Sequence, residues 1–512
     1  MTDTERVVVV GAGIGGLVTA LRLAHAGLDV TVVEAAATPG GKLRQIEVDG
    51  APIDSGPTVF TLRGVFDSLF DTVGTRLESE LRLNPLPVLA RHWWAEGGTL
   101  DLYADAERSA QAVANFAGGD EARRFEAFCR QAREVYRTLQ GPYMDGPRPT
   151  MAGLGLSLGW RGMGVLAGLG PMSSLWSSLG RHFRDPRLRQ LFARYATYTG
   201  SSPWQAPATL MLIAQVELDG VWSVDGGMHA LARALERLAR ARGARFRYGQ
   251  RCERIELTRG RVSGVLLAQG ERLPAERVVF NGDAAALRGG LLGQPVQHAV
   301  PSRAPPRSLS AVTWSEHAPT RGLPLDRHNV FFHSDYATEF QDIFGHGRLP
   351  ARPTVYVCAQ DRGAGLPTPE GAERLLCLVN APAVGDGPSL TPEAIDECET
   401  TSFQLLRRCG LKIRHANPPA VRTTPADFHR LFPATGGALY GQATHGWMSP
   451  FQRPGANTPV PGLFLAGGSV HPGPGVPMAA LSGQRAAEAV LASLASTSRS
   501  PRVATSGGTS MR

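Results

Sequence analysis

The pattern of hydrophobic and polar positions is clearest in the first forty residues. Residues 7–10 are four consecutive valines, which predict a parallel strand buried on both faces. Leucines at helical spacing follow the next turn up to Gly27 and predict an amphipathic helix. The β-branched segment Asp29–Val33 predicts a second strand. This order of strand, helix and strand is a βαβ unit, so we expect an α/β fold built on a parallel sheet.

The rest of the chain alternates between helical and strand patterns. Apolar residues at helical spacing predict further helices over 121–139, 230–242, 392–409 and 479–491. Short β-branched and aromatic runs predict strands over 245–248, 252–257, 262–268, 277–280, 330–333, 354–359 and 375–380. The 512 residues are enough for about two to four domains. The tail from Ser493 is rich in Ser, Thr, Arg and Gly, so we expect it to be disordered.

The turn after the first strand contains the glycine pattern of a dinucleotide-binding site. Gly11 permits the tight turn, Gly13 lets the backbone approach a pyrophosphate, and Gly16 lets helix and strand pack closely. The helix that follows offers N–H donors and the positive end of its dipole to phosphate oxygens. Glu34 ends the second strand, where a carboxylate can accept hydrogen bonds from a ribose diol. The sequence therefore predicts a nucleotide cofactor.

Composition and charge narrow the class of protein. Hydrophobic residues make up 43% of the chain and charged residues 19%, which excludes disorder for the bulk of it. The formal net charge is +8, and only two of the basic residues are lysines. A GC-rich coding sequence is the simpler explanation of this arginine bias, but diffuse positive charge also favours anionic membrane surfaces. No Lys/Arg run is interleaved with aromatic residues, so nucleic acid is not an expected partner.

Cysteine spacing, the length of apolar runs and the N-terminal residues argue against several features. The six cysteines lie far apart with no C-x-x-C pair, which argues against a zinc site, an iron–sulfur site or a disulfide scaffold. We therefore expect no metal. No apolar run approaches 18 residues, so no transmembrane helix is expected. An apolar strand follows the first residues at once and runs into a glycine turn, so we expect no signal peptide and an intracellular protein.

The composition changes over residues 151–180. This segment is rich in Gly, Leu, Met and Ser, and it contains Trp160 and Trp176. Arg161 and the adjoining Arg181 are the only charges there. A loosely packed hairpin in the core explains the pattern. An amphipathic element lying in a membrane interface, with the tryptophans at headgroup depth and the arginines on phosphates, explains it equally well.

A second glycine-rich turn lies near the C-terminus. A strand pattern starting at Gly462 runs into Gly467-Gly468-Ser469, and a segment of glycines and prolines follows up to Pro477. Proline suits the first position of a helix, where its missing N–H costs nothing. We expect this helix to point its positive dipole end at the same cofactor, which the glycines allow to approach the backbone.

Two further segments carry a family resemblance. Pro39-Gly-Gly-Lys42 and Asp54-Ser-Gly-Pro-Thr58, together with the C-terminal glycine–proline turn, resemble the carotenoid (phytoene-type) desaturases, a group of amine-oxidase-like flavoproteins. The resemblance implies FAD as cofactor and a Rossmann-type FAD-binding domain interleaved with an α+β substrate domain. It implies an FAD-binding domain at 1–75, 222–295 and 421–492, a substrate domain at 76–221 and 296–420 with a helical, membrane-associated subregion at 130–215, and a disordered tail at 493–512.

The resemblance also implies cofactor contacts at particular positions, with the flavin ring along residues 56–59. The implied FAD-binding residues are Gly11, Gly13, Gly15, Gly16, Glu34, Gly41, Lys42, Arg44, Gly56, Pro57, Thr58, Val59, Cys252, Asn281, Gly467, Gly468, Gly475 and Val476. Two positions depart from relatives. Gly282 replaces the usual Ala of the family, and Gly468-Ser469 stands where amine oxidases carry a Glu.

Residues 61–66, 88–94 and 102–106 resemble more narrowly the 1-hydroxycarotenoid 3,4-desaturase branch of the family. This resemblance implies dehydrogenation at C3–C4 of an acyclic carotenoid such as 1-hydroxyneurosporene, with hydride transfer to flavin N5. The implied partners are a hydrophobic carotenoid, a membrane surface and a quinone or oxygen as electron acceptor. The implied location is peripheral, on the cytoplasmic side of the inner photosynthetic membrane.

Four residues are candidates for a weak base that takes up the substrate proton: Glu217, Asp219, His229 and His471. A structural role explains each of them more simply. Three alternative functions stay open on the same fold: a phytoene desaturase, a carotenoid ketolase or oxygenase, and a prenyl-lipid carrier without redox chemistry. Intact Glu34, Lys42 and C-terminal glycines argue against the carrier.

Overall fold

The computed structural model describes residues 5–170, 172–363, 365–388, 390–414 and 420–498. Its α-helices, in chain order, are α1 (Ile14–His25), α2 (Arg63–Thr72), α3 (Leu77–Glu80), α4 (Ala106–Ala117), α5 (Gly119–Leu139), α6 (Met151–Gly168), α7 (Leu175–His182), α8 (Pro186–Ala193), α9 (Leu212–Leu218), α10 (His229–Ala241), α11 (Ala284–Arg288), α12 (Tyr336–Phe340), α13 (Pro392–Arg408), α14 (Pro425–Leu431), α15 (Ser449–Gln452) and α16 (Val476–Ser498). Short 3₁₀ or π-helical turns lie at Gln140–Asp145, Arg194–Thr199, Ala208–Met211, Gln294–Ala299 and Gln341–His346.

The strands are β1 (Arg6–Val10), β2 (Asp29–Val33), β3 (Gln45–Val48), β4 (Ala51–Asp54), β5 (Leu83–Pro85), β6 (Val88–Trp94), β7 (Thr99–Tyr103), β8 (Trp222–Val224), β9 (Arg245–Arg247), β10 (Cys252–Thr258), β11 (Arg261–Leu267), β12 (Arg272–Pro274), β13 (Arg277–Phe280), β14 (Ser310–Ala318), β15 (Thr320–Arg321), β16 (His328–Phe332), β17 (Val355–Ala359), β18 (Glu373–Ala381), β19 (Lys412–Ile413), β20 (Val421–Thr423) and β21 (Leu463–Leu465). Two larger sheets organise them.

The first large sheet has five strands and contains the predicted βαβ unit. Its order is β21–β13–β1–β2–β9, and every neighbouring pair is parallel. Helices α1, α10 and α16 cover one face, where Leu17, Leu231 and Val490 are buried. The small sheet β10–β11–β12 and α11 cover the other face, where Val265 and Leu287 are buried. Strands from the beginning, middle and end of the chain therefore meet side by side.

The second large sheet has seven strands in the order β20–β14–β18–β17–β16–β6–β7. The β16–β6 pair is parallel and the other pairs are antiparallel. Side chains alternate along β18: Leu375 and Cys377 join the core formed with α13, whereas Leu376 and Leu378 line a cavity on the opposite face. One face of this sheet is thus a structural core and the other is a cavity wall.

The helical region at 130–215 packs around aromatic side chains. Phe128 of α5 packs against α8, with its ring centroid 4.7 Å from that of Phe192. Helix α6 differs, because Leu154 and Gly162 are its only buried residues and Gly159 interrupts it with a φ of +58°. Among the described residues no helix is both long and apolar enough to cross a bilayer. The same residues contain no group of three or more His, Cys, Asp or Glu that could hold a metal ion.

Most predicted elements differ from the observed ones only at their ends, and two differences change an expectation. Helix α16 begins at Val476 and continues to Ser498, so residues 493–498 of the predicted disordered tail are helical. Residues 499–512 lie outside the described residues. Strand β20, predicted to open the last segment of the FAD-binding domain, pairs with β14 of the seven-stranded sheet. The other domain boundaries remain predictions.

Candidate active site

The glycine turns from the two ends of the chain touch each other. A Cβ atom on Gly15 would lie 2.7 Å from the backbone N of Gly467, and one on Gly483 of α16 would collide with the carbonyl of Gly15. Asn281, which follows β13, braces the contact because its Nδ2 donates a hydrogen bond of 3.2 Å to Gly11 O. Segments that are far apart in sequence thus form one wall.

A continuous cavity of about 1630 Å³ lies against this wall. The predicted cofactor residues that line it are Gly11, Gly13, Gly15, Glu34, Gly41, Lys42, Gly56, Pro57, Thr58, Val59, Cys252, Asn281, Gly467, Gly468, Gly475 and Val476. Gly16 does not line it, because its role is packing: a Cβ atom there would collide with the carbonyl of Gly11. Arg44 does not line it either, since its Nη2 donates to Ser55 Oγ at 3.0 Å and to Thr423 Oγ1 at 2.8 Å.

One end of the cavity has the features of a nucleotide site. Helix α1 begins there with no side-chain cap and no acidic residue in its first turn, so its N–H donors and positive dipole end are open to phosphate. Glu34 accepts hydrogen bonds from the backbone N of Ala12 at 2.6 Å and of Ala36 at 2.8 Å, which fixes its carboxylate beside the turn. Gly41 approaches so closely that its Cβ would lie 3.2 Å from Gly13 Cα. Larger side chains would fill this cradle.

Two buried cations and a helix end lie further along the cavity. Lys42 Nζ donates to Leu439 O at 2.6 Å, and burial lowers the pKa of this lysine. Arg453 donates to Gln442 O at 2.9 Å and to Gly468 O at 3.4 Å, and burial lowers its pKa as well. The first residues of helix α16 line the same cavity, and its first turn contains no acidic residue. The local field therefore favours an electron-rich group.

A hydrogen-bonded chain of side chains forms the polar part of the opposite wall. Tyr195 Oη donates to Glu217 Oε2 at 2.7 Å, and Tyr198 Oη donates to Glu217 Oε1 at 3.0 Å. Arg194 Nη1 donates to Tyr198 Oη at 3.1 Å. Its guanidinium lies 5.3 Å from the ring centroid of Tyr198 and 5.3 Å from that of Tyr356. Burial raises the pKa of Glu217 despite the two tyrosine hydrogen bonds.

Tyr356 connects this polar chain to the nucleotide end. Its hydroxyl lies 2.7 Å from Thr58 Oγ1 and 2.7 Å from His328 Nδ1. Burial lowers the pKa of His328 to about 3, so its imidazole is neutral near pH 7. Thr58 belongs to the segment that the resemblance places along the flavin ring. The polar chain therefore runs from the predicted ring position to Glu217.

Only Glu217 of the four candidate bases lines the cavity. Asp219 points elsewhere, since its Oδ1 accepts a hydrogen bond of 2.6 Å from Gln215 Nε2 at the end of α9. This contact favours the simpler structural role for Asp219, at the end of a helix.

The two candidate histidines contact other groups of the protein and not the cavity. His229 Nδ1 lies 2.8 Å from Leu43 O and supports the loop that follows Glu34. His471 is 2% exposed, with its ring centroid 5.0 Å from that of Tyr143. Burial lowers the pKa of His471 to about 4. Neither histidine lines the cavity, which favours the simpler structural role for both.

The rest of the cavity is apolar and extends to α6. Leu154, Leu158 and Leu166 of this helix line it. On the outer side of the same helix Leu156 is 85% exposed and Trp160 is 95% exposed. Helix α6 is therefore a thin apolar wall between the cavity and the protein surface.

The exposed apolar surface is narrower than the whole segment 151–180. Trp176 stacks on Trp204 at a centroid distance of 4.5 Å and carries the guanidinium of Arg189 at 3.9 Å. Arg181 donates to Ser178 Oγ at 3.3 Å. Trp176 and Arg181 thus make contacts within the protein, whereas Leu156 and Trp160 of α6 and the following Met172 are exposed apolar side chains of this segment.

The fold and the paired glycine turns define a flavoprotein oxidoreductase. The family model described as flavin containing amine oxidoreductase matches residues 14–491. Among solved structures, a redesigned triple mutant of putrescine oxidase superposes with a TM-score of 0.61 at 17% identity, covering 96% of this chain and 99% of that one. This structural likeness shows the fold.

Two relatives indicate which kind of flavoprotein oxidoreductase this chain is similar to. The hydroxyneurosporene desaturase of Rubrivivax gelatinosus is 60% identical over 514 residues, which cover 99% of this chain and 97% of the relative. The hydroxyneurosporene desaturase of Cereibacter sphaeroides is 48% identical over 495 residues, which cover 96% of this chain and 99% of the relative. The chain therefore belongs to the carotenoid desaturase family of FAD-dependent oxidoreductases.

The residues present fit FAD. The glycine cradle and the open N-terminus of α1 suit the pyrophosphate, and Glu34 stands where a ribose diol can donate to it. The positive field from Lys42, Arg453 and α16 suits the ring, because the edge of a flavin becomes electron-rich when it is reduced.

Proposed function

We propose that this protein dehydrogenates the C3–C4 bond of an acyclic 1-hydroxy or 1-methoxy carotenoid, such as 1-hydroxyneurosporene, in carotenoid biosynthesis. The observation that carries the proposal is a continuous cavity, which joins the nucleotide end to an apolar end at α6. Its volume of about 1630 Å³ exceeds the roughly 300–1,000 Å³ of a site for one small ligand. A dinucleotide and a polyene chain can lie in it end to end.

The chemistry divides between cofactor and protein. FAD, when bound, accepts a hydride from the allylic carbon of the substrate. No carbon–hydrogen bond in such a substrate is acidic, so the protein needs to align the end group, exclude water and accept one proton. Leu376 and Leu378 of the seven-stranded sheet and the leucines of α6 exclude water.

We assign Glu217 as the group that accepts the proton from the substrate. It lines the cavity, and its two carboxylate oxygens are held by Tyr195 and Tyr198. Burial raises its pKa, so the protonated form is more stable than that of an exposed glutamate. A carboxylate held in this way can take up a proton beside an apolar substrate.

We further propose that α6 lies on the cytoplasmic face of the inner photosynthetic membrane. Residues 151–180 contain one charged residue, Arg161, and the exposed Leu156 and Trp160 offer a surface of the kind that enters a bilayer interface. A carotenoid could then pass from the lipid into the cavity without crossing water. Electrons would leave to a quinone or oxygen.

Substrate conversion tests the proposal directly. Membranes that contain the purified protein and FAD are given 1-hydroxyneurosporene or phytoene without oxygen, with a quinone as acceptor. We expect a red-shifted product spectrum from 1-hydroxyneurosporene alone. Conversion of phytoene alone would indicate a phytoene desaturase, and a strict requirement for oxygen together with an oxygenated product would indicate an oxygenase.

A further inference from the structure

We propose that Arg194 binds the oxygen atom on C1 of the substrate and so selects carotenoids with a hydroxyl or ether end. This inference rests on the proposed function, since it identifies the group that recognises the end next to the reacting bond. An oxygen-bearing end group needs a polar partner in an apolar cavity, because an unpaired buried hydroxyl is unfavourable.

Arg194 is a cation whose donors are largely unused. It begins the 3₁₀ turn Arg194–Thr199 directly after α8 and lines the cavity. Nη1 donates to Tyr198 Oη at 3.1 Å, and no carboxylate of the described residues lies within ion-pair distance of Arg194. A guanidinium has five N–H donors in a planar fork. The described residues accept one of them, so the others remain for a ligand.

Four other buried polar side chains of the cavity already have hydrogen-bond partners, and Thr313 Oγ1, which has none among the described residues, carries no charge. Lys42 Nζ and the Arg453 guanidinium donate to backbone carbonyls. Both oxygens of Glu217 accept from tyrosines. Tyr356 Oη is shared with Thr58 and a histidine. Lys42 also keeps N–H donors that no described residue uses, but it lies with the glycine turns at the nucleotide end, whereas Arg194 lies in the opposite wall of the cavity. Arg194 is therefore a buried cation with open donors on the substrate side, and an oxygen with lone pairs can accept a hydrogen bond from it.

The position of Arg194 suits the oxygen on C1. Two carbon–carbon bonds separate C1 from C3, so the group that binds this oxygen has to stand beside the reacting bond. The Arg194 guanidinium faces the ring of Tyr356 at 5.3 Å, and Tyr356 contacts Thr58 at the predicted flavin position. One aromatic ring thus separates Arg194 from the residues that border the reaction.

An unsubstituted hydrocarbon end has no acceptor for this cation. Such an end would leave the guanidinium N–H groups unpaired in contact with carbon, which is unfavourable in an apolar environment. A hydroxyl or methoxy oxygen accepts a hydrogen bond from a charged donor, an interaction stronger than one between neutral groups. Arg194 therefore both attracts the oxygenated end and disfavours the bare one.

The test compares two substrates that differ only at C1, 1-hydroxyneurosporene and neurosporene, with FAD-loaded wild-type protein and Arg194→Met in membrane vesicles. We expect wild type to prefer the hydroxylated substrate. Arg194→Met should lower kcat/KM for it by about tenfold to a hundredfold, the range for a hydrogen bond to a charged group, and leave kcat/KM for neurosporene unchanged or higher. Arg189→Met is the matched control, because Arg189 lies on the adjacent α8 and donates to Trp176 O outside the cavity.

The outcomes separate this inference from the proposed function. Wild type that converts neither substrate contradicts the function itself. Wild type that is active with equal kcat/KM for both substrates, or an Arg194→Met variant that keeps the wild-type preference, overturns the role of Arg194 alone. If Arg194→Met does not retain flavin, the Arg194→Lys variant is tested instead. A lysine that donates to the same oxygen should keep a reduced preference for 1-hydroxyneurosporene. Loss of activity with both substrates, as large as in Arg194→Met, would contradict the inference.

Discussion

At its nucleotide end the cavity is walled by backbone, and at its substrate end by side chains. A Cβ atom on Gly15 would lie 2.7 Å from the backbone N of Gly467, and Gly467 itself has a φ of +109°, which other residues rarely adopt. By contrast, Leu158, Tyr198 and Tyr356 shape the other end with large side chains. At the nucleotide end, the close backbone contacts leave little room for substitution. At the substrate end, single side chains can be replaced one at a time. We infer that substrate choice is set at the side-chain end without disturbing the FAD site.

Substitution at the glycine contact should have the largest effect. In Gly15→Ala the new Cβ meets the backbone of Gly467 and the side chain of Asn281, neither of which is the free end of a flexible chain. We expect the purified variant to lose FAD, with affinity lowered at least about a hundredfold. Flavin absorbance after gel filtration and titration with FAD measure this. Gly64→Ala, an exposed change in α2 with no atom within 4 Å, should bind FAD as wild type does.

The substitution Glu217→Gln, at the substrate end of the cavity, should have the next largest effect, which is on kcat. The amide cannot take up a proton, so kcat should fall about a hundredfold, within the range for general base catalysis. FAD binding should be unchanged. Because burial raises the pKa of Glu217 and only the carboxylate form accepts a proton, wild-type kcat should fall as pH decreases through that raised pKa. Stopped-flow rates at several pH values measure both effects. Asp219→Asn, which lies off the cavity, is the control, and an equal loss in that variant would contradict the assignment.

The outer face of α6 should give a smaller effect, on membrane binding. Replacing Leu156 and Trp160 by serine removes the most exposed apolar side chains of the helix. Burying one such side chain contributes about 1.5–3 kcal/mol, so vesicle affinity should fall at least about tenfold. Flotation with anionic vesicles measures it. Leu366→Ser, which removes an exposed leucine elsewhere, should float as wild type does, and unchanged flotation of the α6 variant would refute membrane contact by this face.

The smallest effect concerns stability at low pH. Burial lowers the pKa of His471 from its ordinary value of 6.5 to about 4. The unfolded chain therefore binds a proton that the folded chain excludes, and stability that is full above pH 6.5 is lost as pH falls towards 4. His471→Gln should flatten the decrease of Tm over that interval. Thermal unfolding at pH 7 and pH 4.5 checks it, and an unaltered slope would show that His471 does not contribute.

The contrast between the backbone-lined nucleotide end and the side-chain-lined substrate end also explains what could be predicted from the sequence. The βαβ unit and the FAD glycines were predictable, because turn geometry and close backbone approach dictate glycine at fixed local spacing. His229 and His471 were only weak candidates, because the sequence shows which side chains carry acid–base groups but not what surrounds them. The same limit applies to Asp219, because a shift of one position along a helix decides whether an acid faces the cavity.

Other site residues were missed because their contacts span the chain. Arg194 and Tyr198 are four residues apart in a region of aromatic residues, a weak local signal that the sequence does offer. Tyr356 lies on β17, and tertiary packing brings its ring to the guanidinium of Arg194 in the turn after α8. Arg453 is buried against Gly468 by a loop contact that no local pattern encodes. Such contacts depend on packing between segments that are distant in sequence.

The central claim is that one cavity holds FAD and the carotenoid in reacting contact. Its most direct test is a single turnover without any electron acceptor. FAD-loaded protein in vesicles is mixed with one equivalent of 1-hydroxyneurosporene, and the flavin and polyene absorption bands are followed together. We predict that the flavin band bleaches and the red-shifted polyene band rises at the same rate and in equal amount. A red-shifted polyene formed while the flavin band stays intact would contradict the account.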